Sequence, residues 1–170
     1  ATNRMIDGFG KHGWVFENDP TKSLGLIASV RRHEVSNRYG ARTYDGLQQS
    51  AYASMVYQQL LGDGTDQIKA GISFQYDDYE ERFVNDTLPA LDLGRTERMP
   101  GAFAEHTLKR ERITVVTGVR VDVNDLYGTV ASPRVHAKYD IAPLTTARAS
   151  VGHGFRTANP LVENAAVMAS

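Results

Sequence analysis

Polar and apolar side chains alternate with a period of two along much of this chain. In residues 134–141 one set of alternate side chains is polar and the other apolar: Arg134, His136, Lys138 and Asp140 against Val135, Ala137, Tyr139 and Ile141. This pattern is typical of antiparallel strands with two different faces. Together with weaker examples it predicts about eight strands, in or near residues 3–16, 24–31, 47–60, 68–77, 99–108, 113–123, 134–141 and 146–155.

The predicted connections between these strands alternate between short and long. The short ones are residues 17–22, 61–66, 109–112 and 142–145. The long ones are residues 35–46, 78–98, 124–132 and everything after Phe155. Barrels of the bacterial outer membrane have short periplasmic turns at one rim and long extracellular loops at the other. The alternation therefore predicts that the long connections lie outside the cell.

Composition narrows the class of protein. The 170 residues include 19 basic and 20 acidic side chains and no cysteine, which argues against a nucleic-acid binder and a disulfide scaffold. No stretch approaches the roughly 20 apolar residues of a membrane-spanning helix. A membrane-spanning β-strand needs only about 10 residues, with an apolar side chain at every second position. We therefore predict an all-β fold, an antiparallel transmembrane β-barrel.

Several segments resemble the β-barrel of TonB-dependent receptors in their order along the chain. The most specific is Arg148-Ala-Ser-Val-Gly-His-Gly-Phe-Arg156, which resembles a family strand that leads into an extracellular loop. The others are Arg42-Thr-Tyr-Asp45, Tyr76-Asp-Asp-Tyr79, Pro100-Gly-Ala-Phe103, Val115-Val-Thr-Gly-Val-Arg-Val-Asp122, Leu126-Tyr-Gly128 and Ser132-Pro-Arg134. The resemblance covers nearly the whole chain.

The resemblance implies a receptor in the outer membrane that imports a scarce nutrient, such as a metal chelate or a vitamin. Barrels of this class have about 22 strands and a plugged lumen, so we expect residues 1–170 to form about a third of one. The resemblance also implies a plug, through which the TonB energy-coupling protein acts. We expect that neither the plug nor a signal peptide is present in this sequence. No Ser-His-Asp or paired-carboxylate arrangement stands out in the sequence, so we expect no catalytic activity, and we expect no cofactor.

Two other functions are compatible with the pattern. A complete eight-stranded barrel would be a structural or adhesive outer-membrane protein with a side-chain-filled interior. A soluble β-barrel or sandwich would bind a small apolar ligand, and its apolar strand faces would have to converge on a core.

The resemblance and the strand pattern together suggest candidate site residues. Those expected at the extracellular rim, where a ligand would bind, are Arg42, Tyr44, Tyr79, His153 and Arg156. Those expected to line the lumen are Arg120, Arg134, His136, Lys138 and Arg148. Inward arginines bind carboxylates and phosphates well, but we favour the alternative that they pair with inward acids such as Asp77, Asp122 and Asp140 across neighbouring strands.

Other motifs do not indicate a site. Gly8-Phe-Gly-Lys-His-Gly13 matches a dinucleotide-binding pattern, but no buried strand precedes it and a turn follows it. The five histidines lack any metal-binding spacing. An acidic cluster, residues 77–81, could offer oxygen ligands to calcium, yet no loop-ligand pattern accompanies it and a solvated loop is the favoured interpretation.

Overall fold

The computed structural model describes residues 1–85 and 88–155, and all regular structure within these ranges is β-strand. The eight strands are β1 Thr2–Phe16, β2 Asp19–Tyr39, β3 Arg42–Leu61, β4 Asp66–Asn85, β5 Leu88–Arg110, β6 Ile113–Asn124, β7 Gly128–Ala142 and β8 Thr145–Gly152. Within the same ranges no helix is long and apolar enough to cross a membrane.

The strands form one antiparallel sheet in chain order. Each strand pairs with the one before it and the one after it, from β1 to β8. A closed barrel would also need a ladder between its first and last strands. Among the described residues β1 and β8 pair only with β2 and β7, so the sheet is open and the complete eight-stranded barrel is contradicted.

One face of the sheet is apolar across the middle of the strands, because the register aligns apolar side chains of successive strands. One such row is Leu26, Met55, Ile72, Ala102, Val121 and Ala131. Ile72, in this row, has 56% of its surface exposed. Val30, on the same face of β2 as Leu26, has 61% exposed. An exposed band of this kind is the surface that a barrel presents to lipid. Val135, Ala137 and Tyr139 lie on this face.

The sheet has no apolar core. Tyr44 is the one buried hydrophobic residue among those described, whereas six polar or charged residues are buried. A soluble barrel or sandwich must bury its apolar faces against each other. Here the apolar face is exposed and the polar face holds the buried groups, so the soluble alternative has no support in the structure.

The predicted long connections 35–46 and 78–98 are wrong. β2 continues to Tyr39 and β3 begins at Arg42, which leaves a turn of two residues. Most of residues 78–98 belongs to β4 and β5, which pair with each other along this stretch. These parts of the strands mix polar and apolar side chains on their faces, so the sequence has no regular alternation to reveal them.

The third long connection is also shorter than expected. Residues 124–132 contain a turn of three residues, 125–127, and the remainder belongs to β6 and β7. The connection after Phe155 lies outside the described residues. By contrast, each of the four predicted short connections contains a turn of two to four residues.

Glycine and aspartate shape the turn between β3 and β4. Gly62 and Gly64 have φ angles of 60° and 85°, a region that is accessible to glycine without strain. Asp63 accepts a hydrogen bond of 3.2 Å from the backbone N–H of Thr65. Hydrogen bonds from the side chain and backbone of Thr65 hold the pKa of the Asp63 carboxyl below its usual range. Bonds of this local type favour tight turns.

The turn between β6 and β7 is attached to β5. Asp125 donates its backbone N–H to the carbonyl of Arg98 at 3.2 Å, and its Oδ1 accepts the N–H of Arg98 at 3.0 Å. Asn124 Oδ1 accepts the N–H groups of Leu126 and Tyr127 at 2.8 and 3.1 Å. The end of the shorter β6–β7 hairpin is therefore fixed against the side of β5.

Candidate functional site

The polar face of the sheet carries most of the side chains with binding chemistry. Register places the five residues expected to line the lumen on this face: Arg120, Arg134, His136, Lys138 and Arg148. Ser54, Ser73, Asp77 and Asp122 share it and are buried. A charged face cannot contact the hydrocarbon of a membrane at low cost, and we infer that it faces the interior of the barrel.

A cluster of paired polar side chains, the Tyr79 cluster, lies on this face where β3, β4, β5 and β6 meet. It consists of Gln48, Tyr79, Arg95, Glu97 and Asn124. The Arg95 guanidinium lies 4.7 Å from the centre of the Tyr79 ring, in cation–π geometry. Arg95 Nε and Glu97 Oε1 are 2.7 Å apart. Asn124 Nδ2 donates to Glu97 Oε2 at 3.0 Å, and Gln48 Nε2 donates to Tyr79 Oη at 3.3 Å.

Burial makes this cluster rigid. Glu97 and Asn124 are 6% and 2% exposed, so their partners must satisfy them without bulk water. Hydrogen bonds to charged groups in such surroundings are stronger than those between neutral groups. The outcome is an aromatic ring and a guanidinium that are held in one orientation by their neighbours.

Tyr44 lies beyond the Tyr79 cluster on the same face. Its hydroxyl donates to Glu81 Oε1 at 2.7 Å. Its ring lies over Gly46, where a Cβ would approach the Tyr44 hydroxyl to 2.9 Å. Tyr44 pairs with Phe83, which is four residues along β4 from Tyr79. The structure thus brings Tyr44 and Tyr79 to adjacent strands and one face.

The other rim candidates lie apart from this pair. Arg42 begins β3, opposite Tyr39. His153 follows β8 and donates its backbone N–H to the carbonyl of Pro133 at 3.0 Å, while its Nδ1 lies 3.1 Å from the carbonyl oxygen of Ala131. β8 is separated from β4 by three strands, so His153 and Tyr79 are not neighbours in the sheet. Arg156 lies outside the described residues.

The sequence did not single out Arg95, Glu97 or Asn124. The first two fall within residues 78–98, which were expected to form a loop. Arg95 and Glu97 are two positions apart, the spacing of neighbours on one face of a strand. That spacing was the available signal, but no regular alternation of polar and apolar residues surrounds it to mark a strand.

Two arginines on the polar face reach across a glycine to a partner two strands away. Arg134 on β7 crosses Gly118 and donates to Glu105 Oε2 on β5 at 2.6 Å. Arg120 on β6 crosses Gly101 and donates to the Ser73 hydroxyl on β4 at 2.8 Å. A side chain at either glycine would obstruct the crossing arginine or its partner.

The ion pairs agree only in part with those expected. Arg120 pairs with Asp122 on its own strand at 2.6 Å, and Lys138 pairs with Asp140 in the same way at 2.9 Å. Arg31 binds Asp7 at 2.5 Å across β1 and β2. Asp77, which was expected to pair with an inward arginine, instead accepts hydrogen bonds from Ser50 and Gln75. Residues two apart on a strand share a face, which explains the pairs within one strand.

The acidic cluster is divided by the strand that carries it. Residues 77–81 belong to β4, so Asp77 and Glu81 lie on the polar face while Asp78 and Glu80 lie on the opposite face. The expected solvated loop is wrong, and the acids cannot converge on one cation. Within residues 1–85 and 88–155 no group of three histidine, aspartate or glutamate side chains could hold a metal ion.

Comparisons with known proteins agree with this architecture. Residues 7–168 match the family model described as TonB-dependent receptor-like, beta-barrel. The fold is similar to that of the alcaligin outer-membrane receptor FauA from Bordetella pertussis, with 18% identity and a TM-score of 0.66. That match covers 87% of this chain and 28% of FauA. No curated protein sequence matches the chain.

Two further solved structures share the fold. The pyoverdine receptor FpvA from Pseudomonas aeruginosa PAO1 is 14% identical with a TM-score of 0.59, over 87% of this chain and 28% of FpvA. The copper transporter OprC is 16% identical with a TM-score of 0.58, over 82% of this chain and 28% of OprC. The chain therefore spans less than a third of the length of each of these proteins.

Proposed function

The chain belongs to the TonB-dependent receptor β-barrel family, whose members lie in the outer membrane of Gram-negative bacteria, and we propose that it forms part of the barrel wall of a nutrient importer. The ligand would be a scarce nutrient such as a metal chelate of the siderophore type or a vitamin. The TonB energy-coupling protein would drive its entry through a plug segment outside these residues. Solved structures of similar fold include an alcaligin receptor, a pyoverdine receptor and a copper transporter.

The observation that carries this proposal is the Tyr79 cluster on the polar face. A tyrosine ring and a guanidinium, both oriented by buried partners, offer stacking, cation–π contact and hydrogen bonds in one place. Such preorganised groups bind a ligand at low entropic cost. The cluster lies where the apolar band on the opposite face ends, since Asp78 and Thr96 replace the apolar residues of the band there. A ligand arriving from outside would meet it before it reached the membrane.

We propose that Arg42, Tyr44, Tyr79, His153 and Arg156 contribute to ligand capture at this rim, with Arg95 as an addition. Tyr44 and Tyr79 have the best support, because they share a face and adjacent strands. Arg120, Arg134, His136, Lys138 and Arg148 would line the path below.

Uptake by living cells tests this function. The full-length receptor would be expressed in a strain without its own siderophore and vitamin receptors. Cells would be offered ferric alcaligin, ferric pyoverdine or cyanocobalamin, each radioactively labelled. We expect uptake of at least one of them, and no uptake in the same strain without the energy-coupling protein. Uptake that is independent of the coupling protein, or no uptake of any probe, would contradict the proposal.

A variant of the Tyr79 cluster would connect transport to the site. Tyr79→Ala removes the stacked ring and should weaken binding of the transported probe about tenfold, the effect of losing about 1.4 kcal/mol. Glu80→Gln, the next residue on the opposite face of β4, is the matched control and should leave binding within about twofold. Equal loss in both variants would show that the cluster is not the binding site.

A further inference from the structure

Basic side chains bound the apolar face of the sheet at both ends on two of its strands. We call them the margin cations: Lys22 and Arg32 on β2, and Arg98 and Arg110 on β5. Between the two members of each pair, the apolar face of the same strand carries no lysine or arginine. The basic residues that do occur there in the sequence, Arg31 and Lys109, lie on the polar face.

The spacing of the margin cations matches the thickness of a membrane. On β2 the nine residues 23–31 separate the two cations, and on β5 the eleven residues 99–109 separate them. A tilted strand crosses the hydrocarbon layer with about 9–11 residues. On β3 and β4 polar residues bound the same face at the same two intervals: Gln49 and Gln59, and Asp66 and Asp78. The margin cations therefore lie where the hydrocarbon ends and the lipid phosphates begin.

The surroundings of the margin cations do not depend on the interior of the barrel. β2 and β5 each lie between two other described strands, and the apolar face is the one turned away from the lumen. Arg32 Nε donates to Glu34 Oε1 at 2.8 Å, and an Nη1 hydrogen of Arg110 is donated to Asp66 Oδ1 at 2.8 Å. The two arginine side chains nevertheless keep 54% and 52% of their surface exposed. Such exposed pairs orient a guanidinium but leave N–H donors for a further acceptor.

Arg98 is fixed at the margin by its backbone. Asp125 binds both its N–H and its carbonyl, at 3.0 and 3.2 Å, while the residue as a whole is exposed. Tyr76 lies directly opposite Arg98 on the same face. Tyrosine rings favour the boundary between hydrocarbon and water. The neighbouring strand thus supplies an independent sign that this row lies at a membrane surface.

We propose that the margin cations bind phosphate groups of membrane lipids, Arg32 and Arg98 in one leaflet and Lys22 and Arg110 in the other. A long basic side chain at this level packs its apolar stem along the hydrocarbon and directs its charged end to the phosphates. Arginine can bind two phosphate oxygens at once, and lysine acts as a point charge. Contacts at both surfaces fix the height of the barrel in the membrane.

Lipid binding by the purified full-length receptor in detergent tests this proposal. Native mass spectrometry would follow titrations with dioleoylphosphatidylglycerol and with dioleoylglycerol, which has the same chains but no phosphate. The wild type should bind the phospholipid more tightly. A double variant, Arg32→Gln with Arg98→Gln, should weaken phospholipid binding about fivefold or more and leave dioleoylglycerol binding unchanged. Lys22→Gln with Arg110→Gln should do the same.

The matched control is Arg31→Gln with Arg82→Gln, which removes the same charge. Arg31 is adjacent to Arg32 on the opposite face and is 55% exposed, and Arg82 lies on the apolar face but four residues beyond the margin on β4. Its effect should stay below about twofold.

Equal affinity of the wild type for the two lipids would overturn the proposal. Equal loss in the control would also overturn it, because it would indicate an effect of net charge alone. Retention of the heat-dependent gel mobility of a folded barrel checks that each variant is folded. The measurement needs no uptake, so its failure is distinguishable from failure of the transport function.

Discussion

The sheet contains two regions that differ in how polar and apolar side chains are distributed over its two faces. In the first, which we call the band, one face is apolar and the other polar, as in the row from Leu26 to Ala131. In the second, the extension, β2 to β5 continue beyond the band: the face that is apolar in the band becomes mainly polar, and the opposite face mixes polar side chains with apolar ones such as Phe83 and Leu91. Gln49, Asp78 and Thr96 form a row there on the face that is apolar below. β6 ends at Asn124, before the extension.

Strand lengths agree with this division. A tilted strand crosses the hydrocarbon layer with about 9–11 residues. β6 and β8 have 12 and 8 residues, close to this requirement, whereas β2, β3, β4 and β5 have 20 to 23. About half of each longer strand therefore lies outside the layer. The comparison indicates that contact with lipid requires polar and apolar side chains to alternate along a strand. Outside the lipid, backbone hydrogen bonds between strands are enough to continue the sheet.

The largest expected difference is in the labelling of the two ends of the sheet from outside the cell. If the extension projects outward, a cysteine at Ala41, in the turn between β2 and β3, should react with a membrane-impermeant thiol reagent on intact cells. A cysteine at Asp63, in the turn at the opposite end of β3, should react only after the outer membrane is opened. The reverse result would invert the sheet in the membrane and move the Tyr79 cluster to the periplasmic side.

An arginine introduced on the apolar face should lower the free energy of unfolding more in the band than in the extension. Ala137→Arg places charge in the band and should lower the free energy of unfolding by about 2–4 kcal/mol, the cost of arginine near the middle of the membrane. Gln49→Arg, on the same face but in the extension, should cost less than about 1 kcal/mol. Folding titrations of the full-length receptor in lipid vesicles measure both. If the two costs are similar, the extension also contacts hydrocarbon.

Close packing provides a further contrast. A Cβ on Gly71, within the band region, would collide with the carbonyl of Met55 and lie 2.6 Å from the Phe103 ring. Gly71→Ala should therefore destabilise the barrel by about 1–3 kcal/mol, as overpacking does. At Gly94, in the extension, the nearest atom would be 4.0 Å away, so Gly94→Ala should be neutral or slightly stabilising. Denaturant titrations in detergent compare the two, and a larger loss at Gly94 would refute this account.

The smallest expected effect is at the boundary, where the β6–β7 turn binds β5. Asp125→Ala removes the acceptor of the Arg98 N–H and should cost about 0.5–1.5 kcal/mol. Asp92→Ala in the extension removes a solvent-exposed ion pair with Arg82 at 3.6 Å and should cost less than about 0.5 kcal/mol. Hydrogen exchange at Arg98 would detect the loss directly, and unchanged protection would show that the turn is not attached there.

Only some residues of the candidate site could be predicted from the sequence. Tyr44 and Tyr79 were identified because the resemblance and the strand pattern placed them at the extracellular rim, and the structure places them on one face of adjacent strands. Arg95, Glu97 and Asn124 were missed, since two of them lie in the extension. The partnership of Arg134 with Glu105 was also missed, because it depends on the absence of a side chain at Gly118.

The sequence by itself determined the two faces of the band, the short turns and the antiparallel order of the strands. Those features follow from local alternation and turn chemistry, which a linear pattern records directly. Tertiary structure alone decided how far β2 to β5 extend and which side chains meet across strands. The physical reason is that pairing continues through backbone hydrogen bonds, which every residue except proline can donate and every residue can accept. In the extension, polar and apolar side chains no longer alternate regularly between the faces, so the contrast from which a strand could be recognised is missing.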